Sequence, residues 1–281
     1  MPEDNLKELY NEIYEEGKET FHTFSLDLIY SEVYKTIKTH LNNRKILDLG
    51  CGDGNFLKRF VTLESPKEMH GYDFSEVGIV KCKIIDEITP DTIKNTYRNI
   101  SFEDLKFEIE EGLSTEEKYF DIITSIGVIE HLEDPEILFY IVDKLLTKDG
   151  IFVLEHPNFL NIRGVIWKTL EIFLNAEMSK TDKHTILPDR IFEYMEKYNF
   201  ICERIITFDH SRGLYDRMVE DLSKRIKLAL AGKVENVDEK VKSFLDYLQF
   251  VTHEKVFISG PANGAECIWV IKRKEIEETN E

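Results

Sequence analysis

The sequence predicts an α/β protein built around a doubly wound parallel sheet. Three observations support this: short apolar runs recur from residue 45 onward, amphipathic stretches separate them, and a glycine-rich turn follows the first run. Short apolar strands that alternate with helices are typical of a parallel sheet covered by helices on both faces. The length of 281 residues and the single alternating pattern indicate one elaborated domain.

Strands are predicted at the apolar runs, five in the first part of the chain and two near its end. The seven runs are 45–49, 68–73, 106–109, 120–125, 150–155, 200–208 and 266–272. Helices are predicted at 55–61, directly after the glycine-rich turn, at 135–146, where Pro135 takes the first helical position, and at 188–198.

Three stretches lie outside this alternation. Residues 1–44 contain two amphipathic helices and are predicted to form a cap or lid, which leaves 45–281 as the main domain. Helical insertions are predicted at 158–187 and 211–263. Open α/β sheets bind ligands outside the carboxyl ends of their strands, so the first insertion is expected to roof a ligand pocket. The alternative for both insertions is that they only enlarge the core.

The charge balance is strongly acidic, with 54 acidic and 36 basic side chains and a formal net charge of -18. The average surface therefore repels phosphate backbones and anionic lipids, and we expect neither a nucleic acid nor a membrane partner. No apolar run is long enough to cross a bilayer, and the four cysteines have no paired short spacing. We therefore expect a cytoplasmic protein with free thiols.

A nucleotide-binding turn is predicted between the first strand and the helix after it. Gly50, Gly52 and Gly54 let the backbone turn sharply and approach a ligand closely. Asp73 ends the next strand, where its carboxylate can accept hydrogen bonds from both ribose hydroxyls. A dinucleotide-binding turn has the spacing G-x-G-x-x-G, and Asn55 stands where that spacing requires glycine.

Four segments, taken in order, resemble the motifs of class I S-adenosylmethionine-dependent methyltransferases, in particular the ubiquinone-type branch that acts on small molecules. The segments are Asp48-Leu49-Gly50-Cys51-Gly52-Asp53-Gly54, Gly71-Tyr72-Asp73-Phe74-Ser75, Phe120 to Leu132, and Leu145 to Ile151. The resemblance covers residues 44–157 and continues more weakly to residue 273. It implies a Rossmann-like methyltransferase fold, with a seven-stranded, mostly parallel sheet whose last strand is antiparallel.

The resemblance also implies that the chain binds S-adenosylmethionine and releases S-adenosylhomocysteine. Asp73 would bind the ribose, and Phe74 would lie against the adenine. The third strand of the family usually ends in Gly-Asp, but this sequence has Glu110-Glu111, so Glu111 either contacts adenine or is simply solvated. The expected cofactor contacts are Asp48, Gly50, Cys51, Gly52, Gly54, Asn55, Phe56, Asp73, Phe74, Glu111, Ser125 and Tyr14.

Methyl transfer from a sulfonium depends on alignment and exclusion of water, and it needs no metal or nucleophilic side chain. A hydroxyl or amine acceptor must still lose a proton, for which histidine suits neutral pH. His131 is the expected base, because it follows the fourth strand and Glu130-His131 matches a pair in ubiquinone-type relatives. The alternative is that His131 packs under its loop.

Four side chains are expected to contact the acceptor. They are Glu130, His156, His184 and Phe21. His156 precedes a proline at the end of the fifth strand and alternatively only satisfies backbone groups. The aromatic residues of the N-terminal segment, among them Tyr10, Tyr14 and Phe21, are expected either to close over the cofactor or to belong to the core.

The expected reaction is methyl transfer to an oxygen or nitrogen of a small molecule. A faint resemblance of Tyr14-Glu15-Glu16-Gly17-Lys18 to methyltransferases of surface-glycan precursors suggests a glycan or phosphorylated acceptor. The alternatives are a nicotinamide-dependent oxidoreductase, a non-catalytic cofactor-binding module and an RNA 3′-end methyltransferase. The last would use Glu130, His131 and His184 as metal ligands, but Gly127 stands where a further glutamate is needed, so no metal is expected.

Overall fold

The computed structural model describes residues 7–8, 10–12, 26–63, 66–114, 116–176, 179, 181–208, 214–253, 264 and 266–274. Tyr14 and Phe21, which the sequence places at the site, lie outside the described residues.

The described residues form a seven-stranded mixed sheet. Its strands are β1 (Lys45–Leu49), β2 (Glu68–Asp73), β3 (Lys94–Asn99), β4 (Phe120–Ile126), β5 (Leu146–Pro157), β6 (Phe200–Phe208) and β7 (Glu266–Arg273). The strand order is β3-β2-β1-β4-β5-β7-β6, with β7 antiparallel to both neighbours and the other pairs parallel. This confirms the predicted fold class, including the antiparallel last strand. The chain reverses its strand order at β1 and β4, where open sheets bind ligands.

Helices cover both faces of the sheet. They are α1 (Leu26–Ile37), α2 (Lys58–Leu63), α3 (Glu76–Asp86), α4 (Phe102–Glu110), α5 (Glu136–Leu145), α6 (Ile162–Leu174), α7 (Pro188–Lys197), α8 (Leu214–Leu230) and α9 (Val237–His253). Short 3-10 turns occupy Lys38–His40 and Ile129–His131. The helix expected at 55–61 begins only at Lys58, because residues 55–57 still belong to the turn.

The predicted third strand was wrong. Residues 106–109 lie inside helix α4, and the third strand is 94–99. Phe107 and Ile109 alternate with charged residues as in a strand, but the apolar positions that the core buries are Phe102 and Leu105, at helical spacing. Strand β3 is polar and half-exposed because it is an edge strand paired only with β2, so it carries no apolar signal.

Two apolar clusters lie on opposite faces of the sheet. On one face Val33 and Ile37 of α1 pack in a cluster with Ile46 of β1, so α1 belongs to the main core. The other face carries Phe152 and Trp269, with residues of α5 and α7. A third cluster joins α6 to α8 and α9, so the two helical insertions pack together. The division of the chain at residue 44 stays a prediction.

Among the residues described, no helix has both the length and the apolar character that a membrane span requires.

Candidate functional site

The glycine-rich turn lies between β1 and α2, and its three glycines all have positive φ. The values are 80° for Gly50, 54° for Gly52 and 77° for Gly54. A Cβ atom on Gly50 would lie 2.4 Å from Cγ2 of Val128, and one on Gly54 would lie 2.5 Å from Cδ1 of Ile85. Both backbone conformation and space therefore require glycine, and the turn packs directly against the loop after β4.

Asp73, at the end of β2, fixes the turn through its carboxylate. The Gly52 amide donates to Oδ2 at 2.8 Å, and the Ser75 amide donates to Oδ1 at 2.7 Å. Burial raises the pKa of Asp73 to about 6, and these two backbone hydrogen bonds oppose the rise. Each carboxylate oxygen keeps a further lone pair, so the group can still accept hydrogen bonds from two ligand hydroxyls.

Asp48, at the carboxyl end of β1, is also buried. The Thr124 hydroxyl of β4 donates to its Oδ1 at 2.7 Å, and burial raises the pKa of Asp48 to about 7. Cys51 is buried with its thiol against Gly71 of β2, where a Cβ atom would come within 2.8 Å of its sulfur. Only the backbone of Cys51 remains to contact a ligand.

Two other residues of the turn serve its structure. The Asn55 side-chain amide donates to Asp53 at 2.7 Å. Phe56 is 1% exposed, and its ring lies 5.5 Å from the Tyr30 ring and 5.0 Å from the Phe60 ring, measured between centroids. Phe56 therefore belongs to the core and anchors the turn through its packing against Tyr30 and Phe60.

The N-terminal segment reaches the site through Tyr10 and Asn11. The Tyr10 ring lies 5.7 Å from the Phe74 ring and 6.0 Å from the His131 ring, measured between centroids. It therefore lies between the residue predicted to contact adenine and the residue predicted to act as the base. The Ser75 hydroxyl donates to Oδ1 of Asn11 at 2.6 Å. Burial raises the pKa of Tyr10, as do the charges of Glu130, Asp182 and Asp73. The lid over the cofactor stays a prediction.

His131 lies in a 3-10 turn after β4, between two carboxylates. Its Nε2 is 3.7 Å from Oε1 of Glu130, and its Nδ1 is 3.4 Å from Oδ1 of Asp182. The segment that carries Asp182 folds over this turn, because the amides of Lys183 and His184 both donate to the Glu130 carbonyl, at 2.8 and 3.1 Å. Burial raises the pKa of Glu130, and the nearby Asp182 raises it further.

A second buried acidic pair lies beside this turn, formed by Glu155 of β5 and Glu266 of β7. Burial, the Glu266 charge and a hydrogen bond between the two side chains raise the pKa of Glu155. The Gly127 amide donates to the Glu155 carbonyl at 3.1 Å, and a Cβ atom placed on Gly127 would lie 3.9 Å from Oε1 of Glu130. The charge of Glu130 also raises the pKa of Glu155, so the two carboxylate groups are close enough to interact electrostatically.

The two other predicted histidines have structural partners. His156 is buried: Nε1 of Trp269 donates to its Nε2 at 3.0 Å, and its Nδ1 contacts the Pro157 carbonyl at 2.8 Å. Burial lowers the pKa of His156 to about 4, so the ring is neutral and both nitrogens are engaged. Nε2 of His184 lies 3.2 Å from the Glu133 carbonyl, which fixes the covering segment to the β4 loop.

Glu111 does not lie where the sequence placed it. It is exposed at the end of α4, about 13 Å along a nine-residue helix from the carboxyl edge of the sheet. The residues that follow β3 are Ile100, whose amide donates to the Asp73 carbonyl at 2.9 Å, and Ser101. Ser101 caps α4 by accepting the Asp104 amide at 3.0 Å. The error on Glu111 follows from the misplaced third strand.

The sequence reasoning missed Asp182, Glu155 and Glu266. Asp182 stands two residues before His184, in a segment already expected to cover the pocket. Its closeness to His184 in sequence could therefore have identified Asp182 as a site residue. Glu155 precedes His156 on β5, but side chains alternate along a strand, so the two point to opposite faces. Glu266 lies on β7, which is far from β5 in sequence and meets it only when the sheet forms. No local sequence pattern therefore links Glu266 to the site.

The site has two neighbouring parts. The glycine turn and Asp73 form a surface suited to a nucleotide, and beside it lies His131, with a carboxylate on either side of its ring. Among the residues described, no three His, Cys, Asp or Glu side chains are arranged to hold a metal ion. Because carboxylates lie on both sides of the His131 ring, they can stabilise its protonated form, and the ring is suited to accept a proton.

Comparison with known proteins places this geometry in context. Residues 40–241 match the family described as a methyltransferase domain. A mitochondrial ubiquinone biosynthesis O-methyltransferase of Saccharomyces cerevisiae is 29% identical over 83% of this chain and 69% of that protein. A small RNA 2′-O-methyltransferase of Schizosaccharomyces pombe is 27% identical over 59% of this chain, and the match spans only 44% of that protein. A structure of a methyltransferase from Archaeoglobus fulgidus superposes with a TM-score of 0.53 at 20% identity, covering 93% of this chain and 99% of that one.

Proposed function

This chain belongs to the methyltransferase-domain family as an S-adenosylmethionine-dependent enzyme, and we propose that it methylates an oxygen or nitrogen atom of a small molecule. In this proposal His131 is the base. The supporting observation is the position of His131, held between Glu130 and Asp182 in the loop that packs against the glycine turn.

The residues of the β1 and β2 edge fit the methyl donor. We assign the ribose hydroxyls to Asp73, whose two oxygens are oriented by backbone amides. Phe74 provides an aromatic surface for adenine, and the backbone of the glycine turn lines the path of the methionine portion. When bound, S-adenosylmethionine supplies a methyl group on a positively charged sulfur that leaves as a neutral thioether.

The acceptor side must align one atom with that methyl group and remove a proton from it. We assign proton removal to His131, because Asp182 and Glu130 lie on either side of the ring and stabilise its charged form. Tyr10 and the segment 181–187 cover the loop, which excludes water from the site.

A phosphorylated or glycan-precursor acceptor remains the finer proposal. It rests on the faint resemblance of Tyr14-Glu15-Glu16-Gly17-Lys18 to methyltransferases of surface-glycan precursors. A cytoplasmic location likewise remains a prediction from the sequence.

The proposal is tested by calorimetric titration with S-adenosylhomocysteine and NAD, followed by an assay for acceptor-dependent release of S-adenosylhomocysteine. The acceptor panel contains sugar phosphates, nucleotide sugars and quinols. We expect binding of S-adenosylhomocysteine alone, and activity that His131→Gln abolishes without changing that binding. Binding of NAD alone would falsify the proposal.

An RNA acceptor is the second candidate, because one relative is named as a small RNA 2′-O-methyltransferase. Gly127 occupies the position where a metal-dependent site of that kind would need a further glutamate. Incubation with short single-stranded RNA, with and without Mn²⁺ or a chelator, decides between the two. Metal-dependent methylation of RNA 3′ ends, with none of the small molecules, would establish the RNA activity.

A further inference from the structure

The two helical insertions form an apolar cavity of about 320 Å³ between α6, α8 and α9. Its wall includes Ile166 and Leu170 of α6, Ile226 and Leu230 of α8, and Val241 and Phe244 of α9. Small-molecule sites in proteins have volumes of about 300–1,000 Å³, so this cavity has room for one small ligand. None of its described lining residues belongs to the glycine turn, to β2 or to the loop after β4.

The wall of this cavity favours a hydrocarbon chain. Among its described residues, only Thr169 and Lys240 have polar side chains. A sugar or a nucleotide would lose hydrogen bonds to water here and gain few in return. The apolar surface continues to the cavity edge, where Val165 is 63% exposed. A chain of methylene groups would cover this surface and gain dispersion contacts with all three helices.

The charge on the described part of the cavity wall is positive and comes from Lys240. The Thr169 hydroxyl donates to a backbone carbonyl within α6, so it is already engaged. Among the described residues the structure shows no ion pair for Lys240, whereas Lys227 and Asp238 pair with each other at 2.6 Å. Glu239 faces another side of α9, because successive residues of a helix are about 100° apart. The cavity therefore combines an apolar wall with one ammonium group.

We propose that this cavity binds a free fatty acid, with the hydrocarbon chain between α6, α8 and α9 and the carboxylate at the Lys240 ammonium. One ammonium balances the single charge of a carboxylate, whereas a phosphate monoester carries about two charges. The small volume fits one chain and not the two chains of a phospholipid. The ligand contacts both insertions at once, so its binding stabilises their packing. This site is separate from the methyl-donor site, so it does not depend on the proposed function.

The first experiment tests the charge by calorimetric titration of the full chain with octanoate and with octan-1-ol, which have chains of equal length. We expect octanoate to bind about fivefold more tightly, the size of effect typical of one exposed ion pair. Lys240→Gln should remove this preference. Lys242→Gln is the matched control, because Lys242 is exposed on the same helix and does not line the cavity, so it should retain the preference.

The second experiment tests the cavity by filling it from an exposed position. Thr169→Phe places a ring in the space between the helices, so we expect it to weaken octanoate and octan-1-ol alike, by at least about fivefold. Glu171→Phe adds the same ring at an exposed position of α6 that does not line the cavity, and should leave both affinities unchanged. Circular dichroism and thermal unfolding establish that both variants fold.

The outcomes separate the fatty acid from other occupants. Absence of octanoate binding, equal affinity for octanoate and octan-1-ol, or octanoate binding that Thr169→Phe does not weaken overturns the proposal. Sedimentation velocity provides a further test: a wild-type dimer that Thr169→Phe dissociates would show that a second copy of the chain covers the cavity instead. Binding of S-adenosylhomocysteine should be the same in wild type, Lys240→Gln and Thr169→Phe, so a failure here leaves the proposed function standing.

Discussion

The carboxyl edge of the sheet has two halves that differ in how their buried carboxylates are satisfied. In the half formed by β1 and β2, each oxygen of Asp73 accepts a backbone amide of the protein. In the half formed by β4, β5 and β7, one oxygen of Glu130 and one of Glu155 lack a partner among the described residues. The protein itself therefore orients the carboxylate of the first half, whereas the described residues leave two carboxylate oxygens of the second half without a donor.

This difference distinguishes a part of the site that is held rigidly by the protein from a part that is suited to recognising a ligand. A backbone-bound carboxylate holds a fixed position and recognises a constant ligand, the ribose. An unsatisfied carboxylate costs about 1 to 3 kcal/mol when buried, so the acceptor half reduces the stability of the free protein. Mutations in the first half should therefore lower stability and cofactor binding, whereas neutral substitutions in the second should raise stability and lower activity.

The largest effect is expected for Gly50→Ala, which tests the rigidity of the first half. The new Cβ meets Val128 at 2.4 Å, and φ of 80° strains any non-glycine residue. We expect a loss of about 3 kcal/mol in the free energy of unfolding, from strain and overpacking together, and loss of S-adenosylhomocysteine binding. Urea unfolding and calorimetry measure the two effects.

Gly112→Ala is the matched control for this change. Gly112 has φ of 67° but open space around its Cα, so it isolates the backbone strain. The double variant Gly50→Ala, Val128→Ala should recover part of the loss by removing the clash. A Gly50→Ala protein as stable as Gly112→Ala would show that the turn and the β4 loop do not pack as described.

The second effect concerns Asp73 and pH. The ribose hydroxyls need an ionised carboxylate, and the pKa of Asp73 is raised to about 6, so protonation below that pH competes with binding. We expect the dissociation constant of S-adenosylhomocysteine to be constant above pH 7 and about tenfold weaker at pH 5. Asp73→Asn should bind about 2 kcal/mol more weakly at neutral pH, with a shallower pH dependence. The control is Glu103→Gln, which removes an exposed carboxylate in the first turn of α4 and should retain the wild-type profile.

The same two halves differ in how far sequence alone could predict them. Asp48, the three glycines and Asp73 belong to short motifs within 26 residues, and their local spacing carries the geometry. The acceptor half joins residues 130, 155, 182 and 266, whose proximity depends on strand order and on a covering segment. His131 and Glu130 were predicted because they share one motif; Asp182, Glu155 and Glu266 were not, because contacts between distant segments leave no local pattern.

A moderate effect in the opposite direction is expected for Glu130→Gln. Burial raises the pKa of Glu130 in the folded protein, so its ionised form is disfavoured there relative to the unfolded chain. This penalty is absent below the ordinary glutamate pKa and grows as the pH rises above it. We therefore expect Gln to raise the free energy of unfolding by about 1 kcal/mol, roughly 2 °C in Tm, at pH 8, with little gain at pH 4.

Glu133→Gln is the control for this stability measurement, because that carboxylate is exposed and paired with Lys183. A surface pair contributes little, so its loss should leave Tm within about 1 °C. If Glu130→Gln destabilises the protein at both pH values, the Glu130 carboxylate is satisfied by the protein and the contrast between the two halves does not hold.

The smallest effects compare the two residues offered for the edge near adenine, Glu111 from the sequence and Ser101 from the structure. Ser101 caps α4, and the backbone beside it bonds to the Asp73 carbonyl, so Ser101→Ala should cost about 1 kcal/mol of unfolding free energy. Glu111→Ala removes an exposed carboxylate at the far end of the same helix and should change neither stability nor the dissociation constant of S-adenosylhomocysteine. A clear loss of cofactor affinity in Glu111→Ala would mean that α4 does not run from the site to the opposite edge, and that the third strand ends where the sequence first suggested.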